Sequence, residues 1–232
     1  DLRSLGAKYV FLKTGAYRPA DLARAVKFSS VAKIDLLTVD GAGGGTGMSP
    51  WRMMNEWGIP SVEIWSLTYQ YTDRLARRGD YVPSIALAGG ITMEDHVFKA
   101  LALGAPYVKA IGMARAPLTA AMVAKNVGNR IVEGDLPVYY GRYGNTVEAI
   151  FVEAEGLKKK LGGRFANLPT GAMGLYTYNQ RLIQGLRQLM CGARKFAVDK
   201  ITRDDIVALT PEAARISGIK YVMDLSLIHI SE

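Results

Sequence analysis

The residues whose types and spacing point most directly to chemistry lie between Ile34 and Pro50. An apolar run of strand length, Ile34–Val39, ends on Asp40 and continues into a loop with five glycines and two hydroxyl side chains. Glycine is favoured where the backbone takes a positive φ or comes close to a ligand. We interpret the loop as a backbone-lined binding site, with a flexible surface loop as the alternative. Its glycine and hydroxyl residues are Gly41, Gly43, Gly44, Gly45, Gly47, Thr46 and Ser49.

Two further predicted strands also end on glycine, at LAGGI (Leu87–Ile91) and IGMAR (Ile111–Arg115), with one predicted helix between them. In α/β barrels the loops after the last two strands commonly hold a phosphate with backbone N–H groups and a helix N-terminus. The alternative is that these glycines only close tight strand-to-helix turns. The residues that we expect at such a phosphate site are Gly89, Gly90, Gly112 and Met113, with Arg115 adding a positive charge.

Strands and helices alternate through the first half of the chain. The predicted strands are Lys8–Lys13, Ile34–Val39, Ser61–Trp65, Val82–Leu87 and Tyr107–Ile111. The predicted helices between them are Arg18–Ser30, Trp51–Trp57, Thr72–Arg78 and Met93–Leu103. Alternation at intervals of roughly 25 residues is typical of βαβ units and a parallel sheet. Since a closed barrel needs about eight strands, we expect either an open sheet or the C-terminal part of a (β/α)8 TIM barrel that lacks its first strands.

The second half has a different character, because glycine and proline interrupt short elements from about Val127 onward. Helices are predicted at Tyr178–Leu189, Asp204–Leu209 and Pro211–Ser217. We therefore divide the chain into an α/β barrel portion (1–126), a loop-rich and helical C-terminal extension (127–224), and a tail (225–232). The tail does not follow in character from the segment before it, and we interpret it as an artefact.

Composition narrows the class of protein. Among 232 residues, 49% are hydrophobic and 22% are charged, which is ordinary for a globular chain. The net charge of +8 suits anionic ligands such as phosphates and dicarboxylates. Lys158, Lys159 and Lys160 form the only tight basic run, which we interpret as a solvated helix face and not a nucleic-acid site. Without an apolar run of about 18 residues or a signal-peptide pattern, we expect a cytoplasmic protein.

Three segments occur in the order in which the FMN-binding barrel of the glutamate synthase family carries them: DGAGGGTGMSP, ALAGGITMEDHVFKALALGA and IGMARAPL. The chain resembles that family over roughly Lys8–Leu118. FKALALGA followed by a strand and a glycine also occurs in other FMN-binding and phosphate-binding barrels, so the GGGTG-x-SP loop after an aspartate narrows the resemblance. It implies an FMN-dependent oxidoreductase that reduces 2-iminoglutarate, formed from 2-oxoglutarate and ammonia, to L-glutamate.

The resemblance also implies roles for individual residues. Gly89, Gly90, Gly112 and Met113 would hold the FMN phosphate, and Arg115 would assist them. Lys13 matches a family lysine beside the flavin and the substrate, where an ammonium group would stabilise the anionic reduced flavin; the alternative is a solvent-facing strand terminus. Glu63 matches a family glutamate at a strand end, and Gln70 is a weaker match. The residues that would line the mouth of the active site are Asp40, Gly43, Gly44, Gly45, Thr46 and Ser49.

The chain also departs from the family pattern. Cys191 is the only cysteine, so we expect no iron–sulfur cluster, which the family builds on three cysteines, and we interpret this thiol as buried and structural. Ala88 replaces the aspartate or serine that often precedes the double glycine. The large family enzymes carry a glutaminase domain ahead of the barrel, and we expect none in this chain. We therefore expect an oligomer served by a separate reductase, ferredoxin or glutaminase subunit.

Other functions remain open at this point. One alternative is a different FMN-dependent barrel oxidoreductase, although an α-hydroxy-acid oxidase is disfavoured because no histidine lies near a predicted strand end. Another is a non-catalytic phosphate-binding or assembly module, since an incomplete barrel has unpaired strand edges that a partner would cover. No His, Cys, Asp or Glu cluster has the spacing of a metal site.

Overall fold

The computed structural model describes residues 2–15, 18–42, 44, 50–52 and 56–225. The chain divides into two compact units, one formed by Asp1–Met113 with Gln188–Glu232 and the other by Ala114–Arg187. The boundary that we predict at residue 126 lies inside a helix of the second unit. Our functional division of the chain stays a prediction, and the tail after Leu225 lies outside the described residues.

The first unit contains a four-stranded parallel sheet. Its strands are β1 (Phe11–Gly15), β2 (Leu36–Asp40), β3 (Ser84–Ala88) and β4 (Val108–Gly112), and they lie side by side in chain order. The connecting helices are α1 (Pro19–Val31), α2 (Ser61–Arg77) and α3 (Glu94–Leu103). The predicted α/β class with a parallel sheet is confirmed. Of the predicted helix Trp51–Trp57, Trp51 and Arg52 are helical, and residues 53–55 lie outside the described part.

The strand predicted at Ser61–Trp65 is wrong, because these residues form the first turns of α2. The run SVEIW is rich in β-branched and aromatic residues, and a run this short does not distinguish a strand from a buried helix. The helix is favoured because it extends over 17 residues and buries Ile64, Thr68 and Thr72 at a spacing of four. The hydroxyls of Thr68 and Thr72 donate to carbonyls one turn earlier, so their burial leaves no unpaired polar group.

The side chains on the two faces of the sheet differ in burial. Leu37, Val39, Ile85 and Leu87 are fully buried and alternate along β2 and β3, so they share one face. The helices contact the strands, and as expected of βαβ connections they cover this buried face. On the opposite face Phe11 is 64% exposed. Within the described part of the chain, β1 and β4 are the two edges of the sheet.

The second unit is helical. Its elements are α4 (Arg115–Glu133), α5 (Val138–Gly141), α6 (Val147–Ile150), α7 (Ala154–Leu161), a 3-10 helix (Gly162–Asn167) and the first part of α8 (Thr170–Gly192). The core of this unit contains Ala124, Phe151, Leu157 and Met173. Gly174 allows α8 to lie against α4, since a Cβ there would be 2.2 Å from the Cβ of Ala124.

The last part of the chain returns to the first unit. It contains two 3-10 helices, Val198–Lys200 and Arg203–Asp205, and then α9 (Pro211–Ser217) and α10 (Val222–Leu225). The helices predicted at Tyr178–Leu189 and Pro211–Ser217 are confirmed. The helix predicted at Asp204–Leu209 is wrong beyond its first turn, because Ala208 instead bridges to Tyr221.

Arg203 bonds the last part of the chain to helices of the first unit. Its guanidinium group donates to the carbonyl of Leu103, at the end of α3, and to that of Ser217, at the end of α9, at 2.5 Å. The same group lies 3.8 Å from the centre of the Tyr69 ring on α2. Helix ends leave carbonyls without intrahelical partners, so one cation satisfies two of them. Burial lowers the pKa of Arg203.

Two further features are the absence of a membrane-spanning helix from the described residues and the position of the cysteine. Within the described residues no helix has the length and apolar character needed to cross a membrane. Cys191 is exposed, which corrects our interpretation of a buried thiol; it lies near the end of the long helix α8, where the side chain faces outward.

Candidate active site

The carboxyl ends of the four strands lie in one row. Gly15 pairs with Asp40, Asp40 with Ala88, and Ala88 with Gly112. The loops that follow β2 and β3 therefore leave the sheet side by side. In parallel α/β sheets ligands bind outside the carboxyl ends of the strands, so this row is where the structure can place a site.

A charged pair lies at the row. The Nζ atom of Lys13 is 2.8 Å from the Oδ2 atom of Asp40. In register, Lys13 pairs with Thr38, two residues before Asp40, so both side chains project from the same face of the sheet. The carboxylate of Asp40 is buried, while the lysine side chain is about half exposed. The structure therefore brings together two of the predicted site residues.

Glycine is required where the loops touch. A Cβ on Gly44 would lie 2.1 Å from the Oδ1 atom of Asp40, and a Cβ on Gly89 would lie 2.7 Å from the backbone nitrogen of Gly41. Gly89 and Gly90 also take φ values of +118° and +73°, which side chains disfavour. A Cβ on Gly112 would lie 2.9 Å from that of Ala88. The loops after β2 and β3 are thus packed backbone against backbone, and nothing larger than glycine fits between them.

The start of α2 joins the two loops. The hydroxyl of Ser61 donates to the carbonyl of Gly89 at 2.8 Å and lies 3.1 Å from that of Ala42. The indole N–H of Trp65 donates to the carbonyl of Ala88 at 3.1 Å. Sequence reasoning missed both residues because it placed them on a strand. The sequence does contain two helix-start signals at this point, Pro60 directly before Ser61 and the acidic residue Glu63 in the first turn.

Two predicted residues lie elsewhere. Glu63 is in the first turn of α2 and not at a strand end, which corrects that prediction. It comes two positions after Ser61, so it projects about 200° around the helix from the side that holds the loops. Gln70, further along α2, donates to the carbonyl of Ile216 in α9 at 3.4 Å. Their predicted roles gain no support from these positions.

The remaining predicted residues divide into two groups. Met113 follows the last residue of β4 and is partly buried, whereas Arg115 is exposed as the first residue of α4 in the second unit. Five of the glycine and hydroxyl residues of the predicted loop lie outside the described residues: Gly43, Gly45, Thr46, Gly47 and Ser49.

Helix α3 begins at Glu94, with Met93 as its cap residue and no side-chain cap. The backbone N–H of Thr92 donates to the Nδ1 atom of His96 at 3.3 Å. Asp95 in the first turn bonds to Lys99 at 2.7 Å, which holds the pKa of its carboxyl below the usual value.

The row of strand ends fits a phosphate-bearing flavin. The paired positive-φ glycines form a turn that approaches a ligand without side-chain obstruction, and backbone N–H groups in such turns bind anions. The Lys13 ammonium group lies at the same edge of the sheet. A separate cavity of about 340 Å³ lies beside the start of β4, lined by Leu101, Val108 and Ile201 among others. It is at the amino end of the strand, so we do not assign the site there.

Metal binding has no support in the described ranges, where no three His, Cys, Asp or Glu side chains are grouped as a metal site would require.

The comparison with known protein families identifies the part of the chain that contains the sheet. Residues 1–126 match the family model described as the conserved region in glutamate synthase, which is more than half of the 232-residue chain. A search of curated proteins gives no match. The matched range contains the whole sheet, the three helices between its strands and the row of strand ends. By this match the chain belongs to the glutamate synthase family.

Proposed function

We propose that this chain binds FMN at the carboxyl row of its sheet and acts as a glutamate-synthase-like oxidoreductase. The substrate would be 2-iminoglutarate, formed from 2-oxoglutarate and ammonia, and the product L-glutamate. The observation that carries the proposal is the juxtaposition of the Gly89–Gly90 turn with the Lys13–Asp40 pair in a chain of this family. When bound, FMN supplies the electrons for the reduction.

The chain's own residues would bind and orient. Gly89, Gly90, Gly112 and Met113 would line the phosphate site, where backbone N–H groups would donate to the phosphate. Lys13 would place a positive charge beside the flavin and an anionic substrate, where it stabilises developing negative charge. Asp40 holds the Lys13 ammonium at a defined position through the 2.8 Å contact. Preorganised charge of this kind needs no rearrangement when the reaction occurs.

We also propose that the four strands are part of a (β/α)8 barrel. The order of the strands follows the chain without reversal, whereas a doubly wound sheet reverses its order. The helices contact one face, and the other face carries the exposed Phe11 beside Lys13. Further parallel strands joined to the edges at β1 and β4 would close the barrel and cover that ring.

The visible absorption spectrum of the purified protein, followed by release and identification of the chromophore, tests this function. We expect a flavin spectrum, FMN as the released compound, and reduction of the bound flavin coupled to glutamate formation when a reductant, 2-oxoglutarate and ammonia are supplied. A colourless protein that does not take up added FMN would contradict the proposal. Electrons and ammonia would come from separate reductase, ferredoxin or glutaminase subunits, so the assay uses a chemical reductant and free ammonia.

A second candidate is a non-catalytic assembly module that binds a phosphate ligand. Two exposed rings at the start of the edge strand β1 favour this module. They belong to Tyr9 and Phe11, and they stack with their centres 6.4 Å apart. This candidate predicts a colourless protein that becomes soluble only with a partner chain, whereas the enzyme predicts a yellow one.

A further inference from the structure

We propose that Ser61 is a positioning residue that orients the Gly90 amide of the Gly89–Gly90 turn toward a phosphate. Its side chain belongs to the first turn of α2 and donates to the Gly89 carbonyl. The proposal rests on the FMN function proposed above. It assigns to the start of α2, which sequence reasoning placed on a strand, a part in the selection of a phosphate-bearing ligand over one without phosphate.

In a planar trans peptide the carbonyl of one residue and the N–H of the next point in opposite directions. The direction of the Gly89 carbonyl therefore sets that of the Gly90 N–H. Ser61 holds this carbonyl at 2.8 Å. The Ser61 hydroxyl thus controls the direction of the Gly90 amide.

The preceding amide is engaged in the sheet. The Ala88 carbonyl accepts the N–H of Gly41, which follows β2, at 2.8 Å, and the indole N–H of Trp65 at 3.1 Å. This carbonyl points toward β2, so the N–H of Gly89 points toward β4, where Gly112 pairs with Ala88. The Gly90 N–H is therefore the amide of the turn that a phosphate can reach. A Cβ on Gly90 would meet no atom within 4 Å, so the space around it is open to a ligand.

Ser61 is suited to this role by its size. A Cβ on Gly41 would lie 2.4 Å from the Ser61 hydroxyl oxygen, so the loop after β2 packs closely against this side chain. A hydroxyl group carries one proton. Because Gly89 is nearer than Ala42, at 2.8 Å against 3.1 Å, its carbonyl is the better acceptor. Without the hydroxyl, the Gly89–Gly90 peptide would lose its contact with the helix while the packing of α2 remained.

Binding of FMN and of riboflavin to the full chain tests the proposal, because the two ligands differ only in the phosphate. The variants are Ser61→Ala, which removes the hydroxyl, and Ser61→Cys, which replaces the hydroxyl with a weaker donor. The matched control is Ser66→Ala. Ser66 is buried in the same helix, and its hydroxyl bonds to the carbonyl of Val62 at 2.6 Å, away from the loops.

We expect each test variant to weaken FMN binding by about tenfold, as for the loss of one well-placed hydrogen bond, with riboflavin affinity unchanged. The preference for FMN over riboflavin would then fall, which a general loss of stability would not cause. Ser66→Ala should keep the preference. If both test variants bind like Ser66→Ala, the positioning role is wrong while the FMN function stands. If the unaltered chain binds neither flavin, the FMN function fails and this proposal with it. Should Ser61→Ala not fold, Ser61→Cys alone decides between these outcomes.

Discussion

The Nζ atom of Lys13 lies 2.8 Å from the Oδ2 atom of Asp40 across two neighbouring strands, and the two partners differ sharply in exposure. The carboxylate side chain is 6% exposed and the lysine side chain 45%. A buried charge without a partner is far less stable than a half-exposed one, because water cannot solvate it. The two partners share one interaction energy, but removal of the lysine leaves a buried charge without its cation, whereas removal of the aspartate leaves a half-exposed charge that water solvates.

This asymmetry predicts unequal effects of two substitutions on the free energy of unfolding. Lys13→Met should lower it by about 2 kcal/mol, less than the loss for a fully buried pair because Lys13 is partly solvated. Asp40→Asn should lower it by less than about 1 kcal/mol, since the amide still accepts a hydrogen bond. Urea denaturation measures both. Lys13→Met should also weaken FMN binding.

The double variant and a surface control complete this test. Lys13→Met with Asp40→Asn should be more stable than Lys13→Met alone, because no unpaired charge remains. Arg24→Met is the control: Arg24 forms an exposed ion pair with Asp21 at 2.9 Å, and exposed pairs contribute about 1 kcal/mol or less. Equal losses for Lys13→Met and Arg24→Met would contradict the buried-charge argument.

Gly89→Ala should lower both stability and FMN affinity. The φ of +118° alone disfavours alanine by about 1–3 kcal/mol, and its methyl group would meet the backbone of Gly41 at 2.7 Å. Gly156→Ala in α7 is the control, because that position is open and helix interiors favour alanine by about 1 kcal/mol. Thermal unfolding and FMN titration of both variants give the comparison. A Gly89→Ala protein with unchanged stability and FMN affinity would show that the turn is not packed as described.

Tyr107 should make stability depend on alkaline pH. Its hydroxyl donates to Asp73 at 3.1 Å, and burial, followed by this bond, raises the pKa of Tyr107 to about 12. The folded chain therefore keeps the phenolic proton where the unfolded chain, with a pKa near 10, has released it. This contribution is complete below about pH 10 and is lost as the pH rises to about 12. Urea denaturation across this range should show a smaller loss for Tyr107→Phe, and equal losses would contradict the assignment.

Arg203→Met should destabilise the first unit by about 3 kcal/mol, because it leaves the end carbonyls of α3 and α9 without their partner. Arg203→Lys should recover only part of this loss, since an ammonium lacks the planar fork that reaches both carbonyls and stacks on Tyr69. Arg215→Met, on the exposed side of α9, is the control. Calorimetric unfolding of the three variants provides the test, and a wild-type midpoint for Arg203→Met would overturn it.

The parts of the fold that could be predicted are those where the signal is local. Four of the five predicted strands exist, and helices such as α1 and α9 lie close to the predicted bounds, because apolar period and helix-start residues act over a few positions. The failures occur where local signals conflict. Ser61–Trp65 has strand-like residues, but the burial of Ile64, Thr68 and Thr72 on one side stabilises a helix.

In the candidate site, too, some features depend on local signals and others on how the elements pack together. The loop glycines and Asp40 could be selected from residue type and order along the chain, since a backbone-lined site needs glycine where a ligand comes close. Lys13 was identified by its resemblance to a family lysine. Their arrangement depends on the register of the parallel strands, which sets Asp40 beside Ala88 and brings Lys13 within 2.8 Å of Asp40. The contacts of Ser61 and Trp65 join residues more than 20 positions apart to the turn after β3. Such contacts arise only when helix and sheet pack together, so tertiary structure alone decides which side chains orient the glycine turn.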